Sequence, residues 1–245
     1  MGSHDPKSPK ALLSRDARGR PPNLECPHPQ FSAEQLAAGA ALFGRPWRFL
    51  KSVPSPEFLP PTDRPEVAFA GRSNVGKSSL VNALVMRRGL AKTSHTPGRT
   101  QALNFFEQPG VRLFLVDMPG YGYAKAPKAN SSAWGELVRD YLRGRSTLLR
   151  VFLLIDARHG LKQADLAMMA LMDETGVNYQ GVLTKADKVT PPQLDAVVAA
   201  TRAALARHAA AYGGLLATSS HANLGIDGLR AEIAALASAH GVRFG

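Results

Sequence analysis

The chain has little of what would place it outside a reducing, aqueous compartment. Cysteine occurs once in 245 residues, at Cys26, so an intrachain disulfide framework is excluded. No apolar run approaches the roughly 18 residues that a membrane-spanning helix needs. The first residues carry Asp5, Lys7 and Lys10 but no continuous apolar stretch, so no secretory signal is expected. A cytoplasmic protein without a membrane partner is the expectation. Acid is also scarce: 19 Asp and Glu face 30 Lys and Arg, giving +11 and a pI near 10.2. There is no internal repeat. At 44% hydrophobic and 20% charged, the chain has enough apolar residues for one sizeable core plus an extension.

The charge is concentrated. From Arg87 to Arg150 there are eleven Lys/Arg and four Asp/Glu, so +7 of the +11 falls in about a quarter of the chain. Such a block suits a polyanion, with nucleic acid the leading candidate over a merely solvated basic surface.

Residues 1–30 are rich in Pro, Lys, Arg and Ser and are expected to be a disordered basic extension. Residues 31–64 form a lead-in: Ser32 caps a helix over AEQLAAGAALF, WRFLKSV (47–53) alternates like a strand, and the prolines of 55–65 make a linker. Residues 65–240 then alternate regularly, and 241–245 are a tail. EVAFA (66–70) is a buried-type strand, followed by a helix from Lys77 to Met86. LNFFEQ and VRLFLVD flank Pro109-Gly110 as a hairpin. Helices are expected over 131–144, 162–173, 191–208 and 224–239, with strands at LLRVFLLIDA, NYQGVLT and GGLLATS between them. This order implies an α/β fold, a mostly parallel sheet with helices on both faces.

Gly71-Arg72-Ser73-Asn74-Val75-Gly76-Lys77-Ser78 fits GxxxxGK[ST], between a predicted strand and a predicted helix. Gly71 and Gly76 permit the tight backbone path. The amides from Asn74 to Ser79 then face phosphates at a positive helix end. Lys77 is expected to reach the β- and γ-phosphates, and the Ser78 hydroxyl to bind Mg2+. Asp117-Met118-Pro119-Gly120 closes a strand about 40 residues on. Asp117 can hold Mg2+ through water, and the Gly120 amide can sense the γ-phosphate. Thr184-Lys185-Ala186-Asp187 follows another strand; an aspartate there accepts two hydrogen bonds from guanine N1 and N2, and adenine lacks that donor pair. The Lys185 stem can lie against the base. Thr218-Ser219-Ser220 offers amides to guanine O6. The polar loop 91–101 must supply a hydroxyl to Mg2+, and Thr93, Thr96 and Thr100 all qualify by type.

These motifs, in this order, resemble a translation-factor-class GTPase: a P-loop GTPase (Ras-like) domain with a six-stranded, mostly parallel sheet and one antiparallel edge strand. GRSNVGKSS, TPGRTQ with NFF, DMPGYGYAK and TKAD together resemble the EngB (YihA/YsxC) family of bacterial ribosome-assembly GTPases, over about residues 45–240. FLKSVPSPEFLPP is similar to that family's lead-in. The resemblance implies GTP/GDP binding, Mg2+ dependence, a role in large-subunit assembly with rRNA and ribosomal-protein partners, a monomer, and a link to cell division and septation. It selects Thr100 as the switch threonine and Mg2+ ligand, with Gly98, Arg99 and Gln101 beside it. Thr184 stands where many GTPases have Asn, and its hydroxyl takes over part of that bonding.

Many GTPases place a glutamine after DxxG, but Tyr121 and Gly122 stand here. Neither has an amide side chain to hold water, so intrinsic hydrolysis is expected to be slow and partner-stimulated. Arg72 and Arg99 are read as solvated loop residues in preference to internal arginine fingers, His95 as a surface residue, and Gln101 as part of the switch. In related GTPases an asparagine at the Asn74 position helps hold K+, which makes K+ a candidate cofactor. Two other readings compete. A P-loop small-molecule kinase or ATPase lacks support from any acceptor site and is opposed by TKAD. A GTPase serving tRNA modification or a membrane partner would be expected to carry an extra domain or a cysteine-bearing tail.

Overall fold

The computed structural model describes residues 30–87, 89–91, 102–122 and 128–244. Helix α1 (Ala33–Phe43) begins where expected. The Ser32 hydroxyl accepts from the Gln35 amide at 3.2 Å, and the Gln35 side chain accepts from the Ser32 amide at 2.8 Å. That reciprocal pair satisfies two helix-end donors. Strand β1 (Arg48–Val53) follows, then β2 (Glu66–Gly71), α2 (Lys77–Leu84), and the hairpin of β3 (Leu103–Gln108) and β4 (Val111–Asp117). Gly110 turns that hairpin at φ 84°, a value glycine adopts without a Cβ clash. The remainder alternates: α3 (Lys128–Gly144), β5 (Leu148–Asp156), α4 (Gln163–Thr175), β6 (Tyr179–Thr184), α5 (Pro191–Leu205), β7 (Ala211–Ala217) and α6 (Ile226–Ala239). α3 starts three residues before the expected serine, and α5 stops three residues before His208.

The sheet order is β1-β3-β4-β2-β5-β6-β7. It has seven strands among the described residues, one more than expected. β3 is antiparallel to both β1 and β4, so the antiparallel strand lies inside the sheet and β1 forms the edge. Pairing decides this: Arg48 lies opposite Glu107 and bonds it through Nε at 2.9 Å, and the Ser52 hydroxyl meets Asn104 at 2.5 Å. Such cross-strand polar pairs fix register.

Each central strand is buried on both faces, as parallel strands under helices must be. Along β5, Val151, Leu153 and Ile155 pack in one core with Tyr141 of α3, Met169 of α4 and Leu194 of α5. Phe152 and Leu154 enter the other, with Leu42 of α1, Leu80 of α2 and Ile233 of α6. α1 reaches α6 through Gly39, where a Cβ would lie 2.6 Å from the Ala231 nitrogen. Below the sheet, buried Glu66 is matched by Arg145, whose guanidinium also donates to the Pro60 oxygen at 2.8 Å. A buried carboxylate needs such a partner, and this one gives the proline-rich stretch a set path. The ends of β2, β4, β5, β6 and β7 open onto one edge, where ligands of open α/β sheets bind.

Candidate active site

β2 delivers the glycine loop. A Cβ on Gly71 would lie 2.8 Å from Val75 Cγ1 and 3.1 Å from Leu154 Cβ, so only glycine fits between the loop and β5. The chain then turns left-handed at Asn74 (φ 65°) and Gly76 (φ 107°), and α2 starts at Lys77. Gly76 has no side chain to cap the helix, so the first-turn amides face outward, as anion binding requires. Ser78 is half-buried in that turn and Ser79 exposed.

Asp117 ends β4 opposite Phe69 of β2, which puts its carboxylate on the Lys77 ammonium. Both side chains are about nine-tenths buried. The chain after Asp117 returns to the loop. The Met118 amide donates to the Phe69 oxygen at 3.0 Å, a Cβ on Gly120 would sit 3.1 Å from the Ser73 hydroxyl, and the Ser73 amide donates to the Tyr121 oxygen at 3.0 Å. Gly120 is therefore packed against the loop that would hold the phosphates. Hard oxygen donors at Ser78 and Asp117 suit Mg2+. No cluster of three His, Cys, Asp or Glu occurs among the described residues; Mg2+ commonly needs only one or two carboxylates beside substrate phosphates and water.

The other half of the site is tied to the same loop. The Thr184 hydroxyl donates to the Val75 oxygen at 2.7 Å and approaches the Ile155 oxygen at 3.3 Å. Lys185, left-handed at φ 57°, extends its stem over Gly76 and donates to the Asn74 oxygen at 2.7 Å and to Asp156 at 2.9 Å. Burial works against ionising Asp156, but hydrogen bonds from Arg158 and Lys185 outweigh it and hold the carboxyl well below its ordinary range. Ala186 is buried, and its amide donates to the Thr218 oxygen at 3.0 Å, bringing the two base-side loops together. Partial burial likewise opposes ionised Asp187; the Ser219 side chain and Lys188 hold its pKa below the ordinary 3.8. An ionised carboxylate at neutral pH can accept both N–H groups of a guanine edge. Thr218 and Ser219 are buried, Ser220 is half-buried, and His221 Nδ1 stands 3.9 Å from Asp187.

The Arg72 Nε donates to Asp165 at 3.0 Å, so this arginine is neither a solvated loop residue nor free to act as a finger. Tyr121, in the position of the usual glutamine, donates its hydroxyl to the same carboxylate at 2.9 Å. Burial, then the nearby Asp165 charge, keeps that phenol protonated well above its ordinary pKa. Neither Asp156 nor Asp165 belongs to a motif of the sequence. Asp156 did have a legible signal, an acid closing a buried strand, but Asp165 is simply the third residue of a helix. Thr93, His95, Thr96, Gly98, Arg99, Thr100 and Gln101 lie outside the described residues.

A glycine loop between strand and helix, an acid at the next parallel strand's end and a guanine-type carboxylate two strands further on define a P-loop GTP-binding protein. Residues 66–185 match the family model described as a 50S ribosome-binding GTPase. The chain is 57% identical over 205 residues to the probable GTP-binding protein EngB of Bradyrhizobium diazoefficiens, covering 83% of this chain and 94% of that one. It is 54% identical over 210 residues to its counterpart from Rhizobium meliloti, covering 82% and 97%. The chain belongs to the EngB family of GTP-binding proteins, and is a GTPase. Two solved structures share the fold at low identity. A crystal structure of a probable GTP-binding protein EngB has a TM-score of 0.55 at 18% identity, covering 71% of this chain and 99% of that one. Era in complex with MgGDPNP and nucleotides of 16S ribosomal RNA has 0.56 at 19%, covering 74% and 57%.

Proposed function

We propose that this GTPase is a Mg2+-dependent switch in assembly of the large (50S) ribosomal subunit, contacting precursor rRNA and ribosomal proteins when GTP-loaded. Two things support the ribosomal part: the family model's description over residues 66–185 and the basic block that begins at Arg87 and runs across both switch segments. Ordering of a switch loop by γ-phosphate would then couple nucleotide state to RNA contact. Ser78 and Thr100 would hold Mg2+, with Asp117 supporting it from the end of β4. When bound, Mg2+ would supply neutralisation of phosphate charge, and Lys77 would exchange Asp117 for the β- and γ-phosphates. Gly120 senses the γ-phosphate and Asp187 reads guanine. The protein acts as a cytoplasmic monomer, and the family resemblance extends the role to normal cell division and septation through ribosome supply.

The observation that carries slow intrinsic turnover is Tyr121: its hydroxyl is buried on Asp165 and offers nothing to an attacking water. Asn74 is the candidate K+ ligand. It is exposed at the loop's rim, and its main-chain oxygen is held by Lys185. The deciding experiment sediments ribosomal particles with protein loaded with a GTP analogue or GDP. Co-migration with large-subunit precursors is expected with the analogue alone, and equal binding in both states would sink the switch. Hydrolysis at equal rates in Na+ and K+ would remove the K+ assignment.

A further inference from the structure

We propose that Asp165 is a positioning residue for GTP hydrolysis, clamping Tyr121 and Arg72 together and so holding Gly120 against the phosphate loop. It rests on the reading of Gly120 as the amide that meets the γ-phosphate.

Asp165 is fully buried in the first turn of α4, remote in sequence from both partners. Its two oxygens are shared out. Oδ1 accepts the Tyr121 hydroxyl at 2.9 Å; Oδ2 accepts Arg72 Nε at 3.0 Å and the Lys162 amide at 2.9 Å. A buried carboxylate with a cation and a phenol on it is satisfied, and removing any one member leaves a desolvated group exposed to its neighbours. A helix cap needs only the Lys162 amide. The other two bonds reach into the site: Arg72 is the second residue of the glycine loop and Tyr121 immediately follows Gly120.

The backbone shows what the clamp holds. Arg72 and Tyr121 form an isolated parallel bridge, in which the Ser73 amide donates to the Tyr121 oxygen at 3.0 Å and the Tyr121 amide to the Gly71 oxygen at 3.3 Å. Alone, two hydrogen bonds at the end of a sheet are a weak tether. Asp165 locks the side chains of both bridged residues from the far side. Beyond it the chain turns at Gly122 (φ 78°), where a Cβ would lie 3.2 Å from Ala164 Cβ and 3.5 Å from Arg72 Cγ, so α4 packs closely on this point. Gly120 accordingly lies within this packed stretch, beside the bridge to the glycine loop and just ahead of the turn on α4. A preset amide costs no reorganisation when charge develops on the γ-phosphate. GDP lacks that group and should not register the clamp.

The test measures GDP and GTP-analogue affinity and single-turnover hydrolysis for Asp165→Asn, Tyr121→Phe, their double variant, and Gly120→Ala. Tyr121→Phe deletes one hydroxyl and keeps the ring, so it decides the matter if Asp165→Asn fails to fold. The expected result is GDP affinity within about twofold of wild type and hydrolysis and the analogue-to-GDP affinity ratio each down about tenfold in Tyr121→Phe. The double variant should fall no further than Asp165→Asn. A merely structural Asp165 would weaken both nucleotides together; an unchanged ratio in both single variants, with Gly120→Ala still shifting it, overturns the clamp. An unchanged ratio in Gly120→Ala as well overturns the reading of Gly120 beneath it.

Discussion

The phosphate half and the base half of the site handle charge in opposite ways. On the phosphate side, Lys77 and Asp117 pair with each other, and each is the group that a Mg2+-nucleotide would claim. On the proposed reading that pair is a placeholder, well matched in a buried setting, that nucleotide binding would exchange. On the base side the ammonium of Lys185 is bonded to Asn74 and Asp156, which is itself held by Arg158, and the Thr184 hydroxyl is bonded to Val75. These bonds are scaffold and need not break. The contrast teaches that the base side is already bonded into the scaffold, whereas on the phosphate side the proposed nucleotide contacts would replace an existing ion pair.

The comparison breaks most severely at Lys77. Lys77→Ala should lower GTP affinity or hydrolysis by about 10²–10³-fold, seen by nucleotide titration and single-turnover assay, and should also strand a buried Asp117. Next comes Asp187. Asp187→Asn replaces an acceptor with a donor, so GTP affinity should fall about 100-fold while xanthosine triphosphate, with a carbonyl at position 2, gains; competition binding reads the exchange. Lys185→Met keeps the stem but removes both bonds. About tenfold weaker binding of GTP and GDP alike is expected by fluorescence titration, since a scaffold serves both nucleotides. A change confined to GTP would move Lys185 to the phosphate side of the comparison.

The smallest effect is on acid stability. Asp156 has a lowered folded-state pKa, so its contribution is present above its ordinary 3.8 and is lost as pH falls through and below that value. Asp156→Asn should flatten the stability profile on the acid side of about pH 4 and lower the plateau at neutral pH, measured by denaturant titration across pH.

The features legible in the sequence are those that local rules fix. Gly71, Gly76 and Lys77 lie within one strand-turn-helix, and the Ser32 cap is settled by Gln35 three residues on. Edge strand β1 was harder: WRFLKSV alternates, but nothing within it says that it pairs beside β3 and moves the antiparallel strand inward. The ion pair of Arg72 is not legible locally, because its partner Asp165 is 93 residues away.

The sequence by itself determined a nucleotide loop, a strand-end acid and a carboxylate suited to guanine, because each depends on backbone path and side-chain chemistry over a few residues. Tertiary structure alone decided which charges meet. Lys185 on Asp156, Tyr121 and Arg72 on Asp165, and Glu66 under Arg145 are partnerships across separate elements. Burial made these pairings obligatory: a charge removed from water must find a counterpart, and the packing of the sheet and its two helical layers determined which one lay within reach.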